Sequence, residues 1–546
     1  MAFVQIDAST LPPGSVLDTE ICIVGAGAAG LTIARALLGS GLKVLVVESG
    51  GFDYDADITA LGDGDNLGAP YYPLADSRLR FFGGTTAIWG GRCTPLDSVD
   101  FEPRGNLPLH GWPVSFTELK PDYEAAQRLL EVGDFRYDAS LWREMGEPDG
   151  VLRRETQPVF DRDLIDYSFW RFDFEKERFG SKRAADLLAS PDTTVLLHAN
   201  VVSLEANAEA DEIREIKVRA PDGRRLIVRA GQFVLAAGGI ENPRLLLASR
   251  SIERSGIGNR HDQVGRYFME HPHGRLGRIE GDHIYALWNG FRMRFREGDV
   301  PIAPVLRIAS RMQLERGFLN TALSFKLQRD PRAGVPAPKA LYRSLKHQLN
   351  PTENNRTLWH WYRSTRLAYR RFLRPMMERF KSKSGNRVLS VMIRAEQTPN
   401  PSSRVVLSER KDRHGVPLAN LDWRMGAVDK ATVRGFGQIL DAELQRTRLG
   451  RLVVEDWVLD GGVDWPADPT VGNHPYGGYH HLGTTRMSDN PERGVVDRNG
   501  RVHGYRNLYV AGSSVFPTGG WANPTLTIMA LAFRLARTLH QNSRAD

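Results

Sequence analysis

Apolar positions near the start of the chain fall in two short unbroken runs, within Asp18 to Val24 and within Lys43-Val-Leu-Val-Val-Glu48. Consecutive rather than alternating apolar residues mark strands covered on both faces. Between them Gly25-Ala-Gly-Ala-Ala-Gly30 predicts a tight turn that opens a helix. Residues from about 51 to 110, rich in Gly, Asp, Pro and aromatics, read as ordered loops. Helical spacing is expected over Phe116 to Val132 and Lys182 to Leu188. Strands are expected at Thr193 to His198 and Asn200 to Leu204, with Glu215 to Arg219 and Leu226 to Arg229 paired as a hairpin around Pro221-Asp-Gly. Phe233 to Gly238 reads as a further buried strand ending in glycine, followed by a helix from Asn242. From about 276 to 460, strands are interrupted by a basic helical segment. The α/β pattern returns at Asn507 to Gly512 and ends in an apolar helix over Thr525 to His540.

The opening strand, turn and helix form a dinucleotide fingerprint in its proper context. Gly25 permits the turn, Gly27 lets a pyrophosphate approach the backbone, and Gly30 lets the helix pack on the strand. The helix N-terminus offers free N–H groups and a favourable dipole to phosphate. Glu48 ends the second strand, 18 residues beyond Gly30, where a carboxylate accepts hydrogen bonds from ribose hydroxyls. The fingerprint itself leaves FAD and NAD open. Its closure by C-terminal segments predicts a discontinuous domain, which favours the larger, extended FAD. The expected fold is α/β, with a Rossmann-like FAD-binding domain (1–110, 190–275 and 461–546) and an inserted α+β substrate domain (111–189 and 276–460).

With 546 residues the chain is long enough for several domains. The start lacks a basic and apolar leader pattern, and no apolar run reaches the roughly 18 residues that span a bilayer. Cys22 and Cys93 are the only cysteines and give no metal-ligand spacing, so no metal is expected. A reducing, cytoplasmic setting is expected. The net charge of +7 is unevenly spread: Lys339 to Arg387 holds 13 Lys and Arg against Glu353 and Glu378. The rest of the chain is slightly acidic, which argues against a general nucleic-acid-binding surface.

Arg80-Phe-Phe-Gly-Gly-Thr-Thr-Ala-Ile-Trp-Gly-Gly91, Ala236-Ala-Gly-Gly-Ile-Glu-Asn-Pro-Arg-Leu-Leu-Leu-Ala-Ser249 and His480-His-Leu-Gly-Thr-Thr-Arg-Met487 with Trp521-Ala-Asn-Pro-Thr525 join the fingerprint as further motifs. Together they resemble the glucose–methanol–choline (GMC) oxidoreductases, and within them the pyranose oxidase and sugar dehydrogenase branch. The resemblance is weakest at about 120–190 and 330–390. It implies FAD, oxidation of an alcohol CH–OH, and a substrate domain built on an antiparallel sheet. In the pyranose oxidases a histidine in the Gly83 to Trp89 loop bonds covalently to the flavin. Ile88 stands in that place here, so non-covalent FAD is expected. The resemblance also places the proton-accepting histidine at His480 and its asparagine partner at Asn523, 43 residues later. A neutral imidazole suits the proton transfer because its pKa lies near working pH. His481 is the rival base, and motif register favours His480.

Cofactor contacts are expected from Gly83, Gly84, Thr85, Thr86 and Trp89 in the flavin loop, from the Val202 backbone to adenine, and from Ala237, Gly238 and Gly512. Asn523, Pro524 and Thr525 should bring a helix N-terminus to the flavin. Arg486 is expected to pair with an acid or a phosphate. The expected reaction takes a ring secondary alcohol of a sugar or glycoside to a ketone at C2 or C3, with O2 or a quinone as acceptor. A dehydrogenase subunit with a protein acceptor, and an oxidase of a non-sugar alcohol, are the rival readings. In the basic insertion, about 335–387, Leu358, Trp361, Tyr362, Tyr369, Phe372, Met376 and Phe380 recur at helical spacing with arginines between. That pattern fits a stripe packed on its own domain, a subunit contact, or an element lying on anionic lipid.

Overall fold

The computed structural model describes residues 5–544 except 106, 108, 139, 142–159, 176, 296–299, 335–339, 342–348, 384–386 and 473. Parts of the basic insertion and of the 111–189 stretch therefore lie outside the described residues. Two large sheets organise the rest. The first has eight strands, in spatial order Gln5–Asp7, Thr193–Leu197, Val44–Val47, Val16–Val24, Arg225–Leu235, Ile213–Arg219 and Asn200–Ala206, with Leu508–Val510 beside Arg225–Leu235. Its centre is parallel: Ile21 to Val24 pair with Val44 to Val47 on one side and with Gln232 to Leu235 on the other. Val44–Val47 is buried at every position, as its unbroken apolar run requires. The expected strands Leu226 to Arg229 and Phe233 to Gly238 are one element, Arg225–Leu235. Ala230 and Gln232 pair with Thr19 and Ile21 through the polar interval, so the register to Val16–Val24 is the same on both sides of it.

The second sheet is antiparallel and has seven strands, in order Arg451–Val454, His273–Glu280, Val388–Arg394, Ala322–Gln328, Ile302–Ile308, Ile165–Phe172 and Arg92–Cys93. One buried cluster joins the first sheet to the helices Ala28–Ala36, Phe116–Leu130 and Thr525–Asn542, and another backs the second sheet against Ala427–Arg446.

Some segments sit elsewhere than the expected partition puts them. Arg92–Cys93 is the edge strand of the antiparallel sheet. Phe116–Leu130 packs instead on Thr525–Asn542, joined by Tyr123 Oη to Thr527 Oγ1 at 2.9 Å and by the Arg537–Asp122 ion pair. The hairpin Arg404–Lys411 and Pro417–Asp422 lies against helix Gly238–Ala248, where Arg244 pairs with Asp412 at 2.7 Å. The expected helix over Lys182 to Leu188 shortens to Ala185–Leu188.

The basic segment forms helices Glu353–Phe372 and Arg374–Lys383. Of their apolar stripe only Tyr362 and Tyr369 reach the cavity wall, and the rest does not pack on the molecule: Trp361, Phe372 and Phe380 are 66, 67 and 77% exposed. Arginines take the inward face. Arg356 pairs with Asp53 and Glu177 at 2.6 and 2.8 Å, and Arg363 lies over Phe174 and donates to its carbonyl at 3.1 Å. Among the described residues no helix is long and apolar enough to cross a membrane.

Candidate active site

A cavity of about 1190 Å³ runs between the two sheets from the Gly25 turn to Asn523. At its nucleotide end Gly25 has φ +110°, and a Cβ there would stand 2.7 Å from the Ala236 carbonyl oxygen. A Cβ on Gly30 would meet the Gly25 carbonyl oxygen at 2.0 Å, so glycine sets how closely helix Ala28–Ala36 follows the strand. Above Gly27 the space is open. The Glu48 carboxylate is held by the N–H groups of Ala26 and Gly50 at 2.9 and 3.0 Å and lines the cavity. Val202 also lines it, at a register break between Val201 and Ser203, so its backbone falls outside the regular ladder. Next to it, both amide atoms of buried Asn200 have no partner. A buried carboxamide without partners is costly and signals a polar ligand.

Gly83 and Gly84, at φ +94° and +56°, turn the chain into the short helix Gly84–Ile88. Thr85 Oγ1 accepts from Leu79 N and Thr86 Oγ1 donates to the Gly83 carbonyl, which fixes the loop. Gly84, Thr85, Thr86, Ile88 and Trp89 line the cavity, and the buried Trp89 Nε1 has no partner. Ala237, Gly238, Gly512, Asn523, Pro524 and Thr525 complete the lining, and helix Thr525–Asn542 begins there. Arg486 lies outside it. Its guanidinium donates to the carbonyls of Pro517, Arg493 and Leu109, so it ties loops together, and among the described residues no carboxylate pairs with it. Cys93 is buried packing, its thiol pushed up by burial.

His480 Nε2 stands 3.3 Å from Asn523 Nδ2, and His480 Nδ1 stands 2.7 Å from His271 Nδ1. The network assigns the protons. His271 Nε2 lies 3.1 Å from the Gly519 carbonyl and must donate to it. A neutral His271 then accepts at Nδ1, so His480 donates from Nδ1 and keeps its Nε2 lone pair toward Asn523. Both oxygens of buried Glu270 receive the backbone N–H of His480, at 3.1 and 3.0 Å, and Tyr71 Oη donates to Oε2 at 2.6 Å. Burial pushes the Glu270 carboxyl up. Burial, then His271, His273 and Arg394, holds the His480 imidazole well below the usual histidine range.

Glu270, His271 and His480 also bring potential metal-ligand atoms within 4.8 Å of one another. The carboxylate oxygens are already engaged by the His271, Gly478 and His480 N–H groups and by Tyr71, which suits a hydrogen-bond relay. His481 lines the same cavity but packs against the Tyr71 and Phe268 rings at 5.9 Å, its pKa lowered to about 3 by burial.

The C-terminal region, residues 399–532, matches the family model for the GMC oxidoreductases, and residues 20–252 match that for FAD-dependent oxidoreductases. The chain carries the C-terminal domain of the GMC oxidoreductases behind an FAD-dependent oxidoreductase domain. The chain is 25% identical to 2-methyl-1,2-propanediol dehydrogenase of Mycolicibacterium austroafricanum, over 95% of this chain and 94% of that protein. It is 25% identical to 6'''-hydroxyparomomycin C oxidase of Streptomyces lividus, over 96 and 92%. In fold it is similar to the solved pyridoxine 4-oxidase of Mesorbium loti, with a TM-score of 0.55 at 16% identity over 96 and 99%.

The oxidoreductase is FAD-dependent, and its cavity fits that group. The open space above Gly27 lies at a helix N-terminus, the unpartnered Asn200 amide lies beside the Val202 backbone, and the glycine-lined loops continue as far as Asn523. Sequence reasoning missed Asn200, Glu270 and His271, and also the buried Glu241 carboxylate that gathers Arg78, Arg80 and Arg244 at 2.9, 2.7 and 3.1 Å behind the cofactor loop. Only Met269-Glu-His-Pro-His-Gly274, with two histidines on alternate positions of one extended run, was a signal within reach.

Proposed function

We propose that this oxidoreductase oxidises a secondary ring hydroxyl of a sugar or glycoside to the ketone, with FAD held non-covalently and His480 as base. The single observation that carries the reading is the His271–His480–Asn523 chain at the inner end of the cavity. The chemistry that FAD supplies when bound is acceptance of a hydride. The chain supplies placement and proton transfer. His480 Nε2 accepts the hydroxyl proton, and Asn523 Nδ2 donates to the same oxygen and holds it on the base. His480 Nδ1–H stays on His271, and Glu270 Oε1, 3.8 Å from Nδ1, steadies the imidazolium that forms. Ile88 offers no nucleophile for a flavin bond, so acid precipitation should release all yellow colour to the supernatant.

The pyranose-branch motifs and the relative named for oxidising 6'''-hydroxyparomomycin C support a sugar or glycoside. The relative named for 2-methyl-1,2-propanediol favours a small non-sugar alcohol as the second reading. The test is anaerobic bleaching of bound flavin by a panel of sugars, glycosides and diols, with wild type and His480→Ala. His480→Ala should stay yellow and lose bleaching. Bleaching at the wild-type rate would move the base elsewhere.

The outward stripe of Trp361, Phe372, Met376 and Phe380 is flanked by exposed Arg371 and Arg379. Apolar residues beside cations complement an anionic bilayer surface better than a protein face, which supports peripheral seating of these helices on anionic lipid.

A further inference from the structure

We propose that the substrate carries an oxyanion, a carboxylate or a phosphate, bound by Arg92, Arg370 and Arg394 beside the His480 base. The proposal rests on the oxidase reading above and narrows its substrate class.

Arg92 and Arg394 stand on the antiparallel sheet, and Arg370 faces them from helix Glu353–Phe372; all three line the cavity. The guanidinium carbons of Arg92 and Arg394 lie 5.4 and 5.2 Å from the Trp170 ring. His273 orients Arg394: its Nδ1 faces the His474 carbonyl at 3.0 Å, which leaves Nε2 to accept from Arg394 Nη1 at 2.6 Å. The buried Arg92 Nε has no partner. Among the described residues no carboxylate pairs with Arg92, Arg370 or Arg394. The same helix provides the contrast, because Arg356, fourteen positions before Arg370, is neutralised by Asp53 and Glu177.

Unpaired guanidinium groups held in a poorly hydrated space are unfavourable unless an anion completes them. Their mutual influence agrees. Burial, then Arg366, Arg374 and Arg92, lowers the Arg370 pKa to about 10, and burial, then Arg92, lowers that of Arg394 against the opposing pull of the Glu270 carboxylate, which makes no ion pair with it. The dinucleotide phosphates do not answer this charge. They belong at the Gly25 turn and the N-terminus of helix Ala28–Ala36, on the parallel sheet. Arg394 instead acts on His480, whose proton affinity it lowers. Guanidinium forks match carboxylate and phosphate geometry and would fix an anionic sugar with its neighbouring hydroxyl on the base.

The experiment uses the full-length, FAD-loaded protein. Glucose, glucuronate and glucose 6-phosphate are compared for anaerobic flavin bleaching, and glucuronate and inorganic phosphate are titrated calorimetrically as ligands. At least one of the two anions should bind, more weakly as salt rises. The matching anionic sugar should bleach at least about tenfold more efficiently than glucose, and the carboxylate and phosphate arms separate the two sources. Arg370→Gln and Arg394→Gln should each weaken anion binding by roughly tenfold to a hundredfold with yellow colour retained, and Arg370→Gln, a change on the helix and not against His480, should leave glucose kinetics unchanged. No binding of either anion, or equal losses for glucose and the anionic sugars in Arg370→Gln, overturns the proposal. Bleaching by glucose without anion binding leaves the sugar reading standing and removes this one. Salt-sensitive anion binding with no sugar bleaching removes the sugar reading and leaves the anion site.

Discussion

His480 shows how one imidazole is prepared by its neighbours. His271 fixes which nitrogen bears the proton, and burial with the nearby Arg394 guanidinium keeps the ring neutral. The sign of the pH dependence follows. A base with a lowered pKa is already deprotonated at neutral pH, so activity is lost only as pH falls through that lowered value. Measured kcat/KM should therefore stay level from pH 8 to about 6.5, the ordinary histidine value, and fall only well below it. A decline centred on that ordinary value would mean that the base is not this buried ring. His271→Ala should lower kcat by about tenfold to a hundredfold with KM nearly unchanged, because Nδ1–H loses its acceptor and the tautomer is no longer fixed. His480→Ala should cost roughly a hundredfold to ten-thousandfold, read as flavin bleaching rate.

Among the elements, the turn into helix Ala28–Ala36 and the helix Glu353–Phe372 differ in what governs them. The turn is local. Gly25→Ala places a side chain at φ +110° against the Ala236 carbonyl, so the variant should purify with little FAD, read from its absorbance. The arginine helix obeys its surroundings. An amphipathic helix ordinarily buries its apolar stripe, yet here Arg356 stacks on Phe81 at 4.8 Å and Arg363 reaches the Phe174 carbonyl, which turns the stripe outward. Flotation should show the protein rising with phosphatidylglycerol vesicles and not with phosphatidylcholine alone, and the pair Phe372→Ser and Phe380→Ser should abolish it. Wild-type protein that stays at the bottom and forms a dimer in sedimentation would assign the stripe to a second copy instead.

The whole molecule is closed around its cavity by segments distant in sequence. Lining residues run from Val24 to Ile528, and strands of both sheets contribute. A ligand that touches so many segments of the folded state, and none of the unfolded one, stabilises by mass action. At a hundred times its dissociation constant the gain is about 2.7 kcal/mol. Adding FAD to deflavinated protein should raise the unfolding midpoint, and Asn200→Leu should reduce that rise. An unchanged midpoint on FAD addition would place the cofactor outside this cavity.

What the sequence determined is what short-range chemistry controls. Gly25, Gly27 and Gly30 announce a turn because only glycine tolerates that backbone and that closeness. Glu48 sits at the end of a strand whose burial is written in its residues, and the Gly83-Gly84 loop carries its own turn chemistry. Only the tertiary structure brought His271 to His480 across 209 residues, and Arg394 to His273 across 121. Those encounters depend on strand register, where a slip of one residue would turn each side chain to the opposite face. The orientation of the arginine helix was likewise open in the sequence, because its periodicity defined two faces and only packing against Phe81 and Phe174 chose between them.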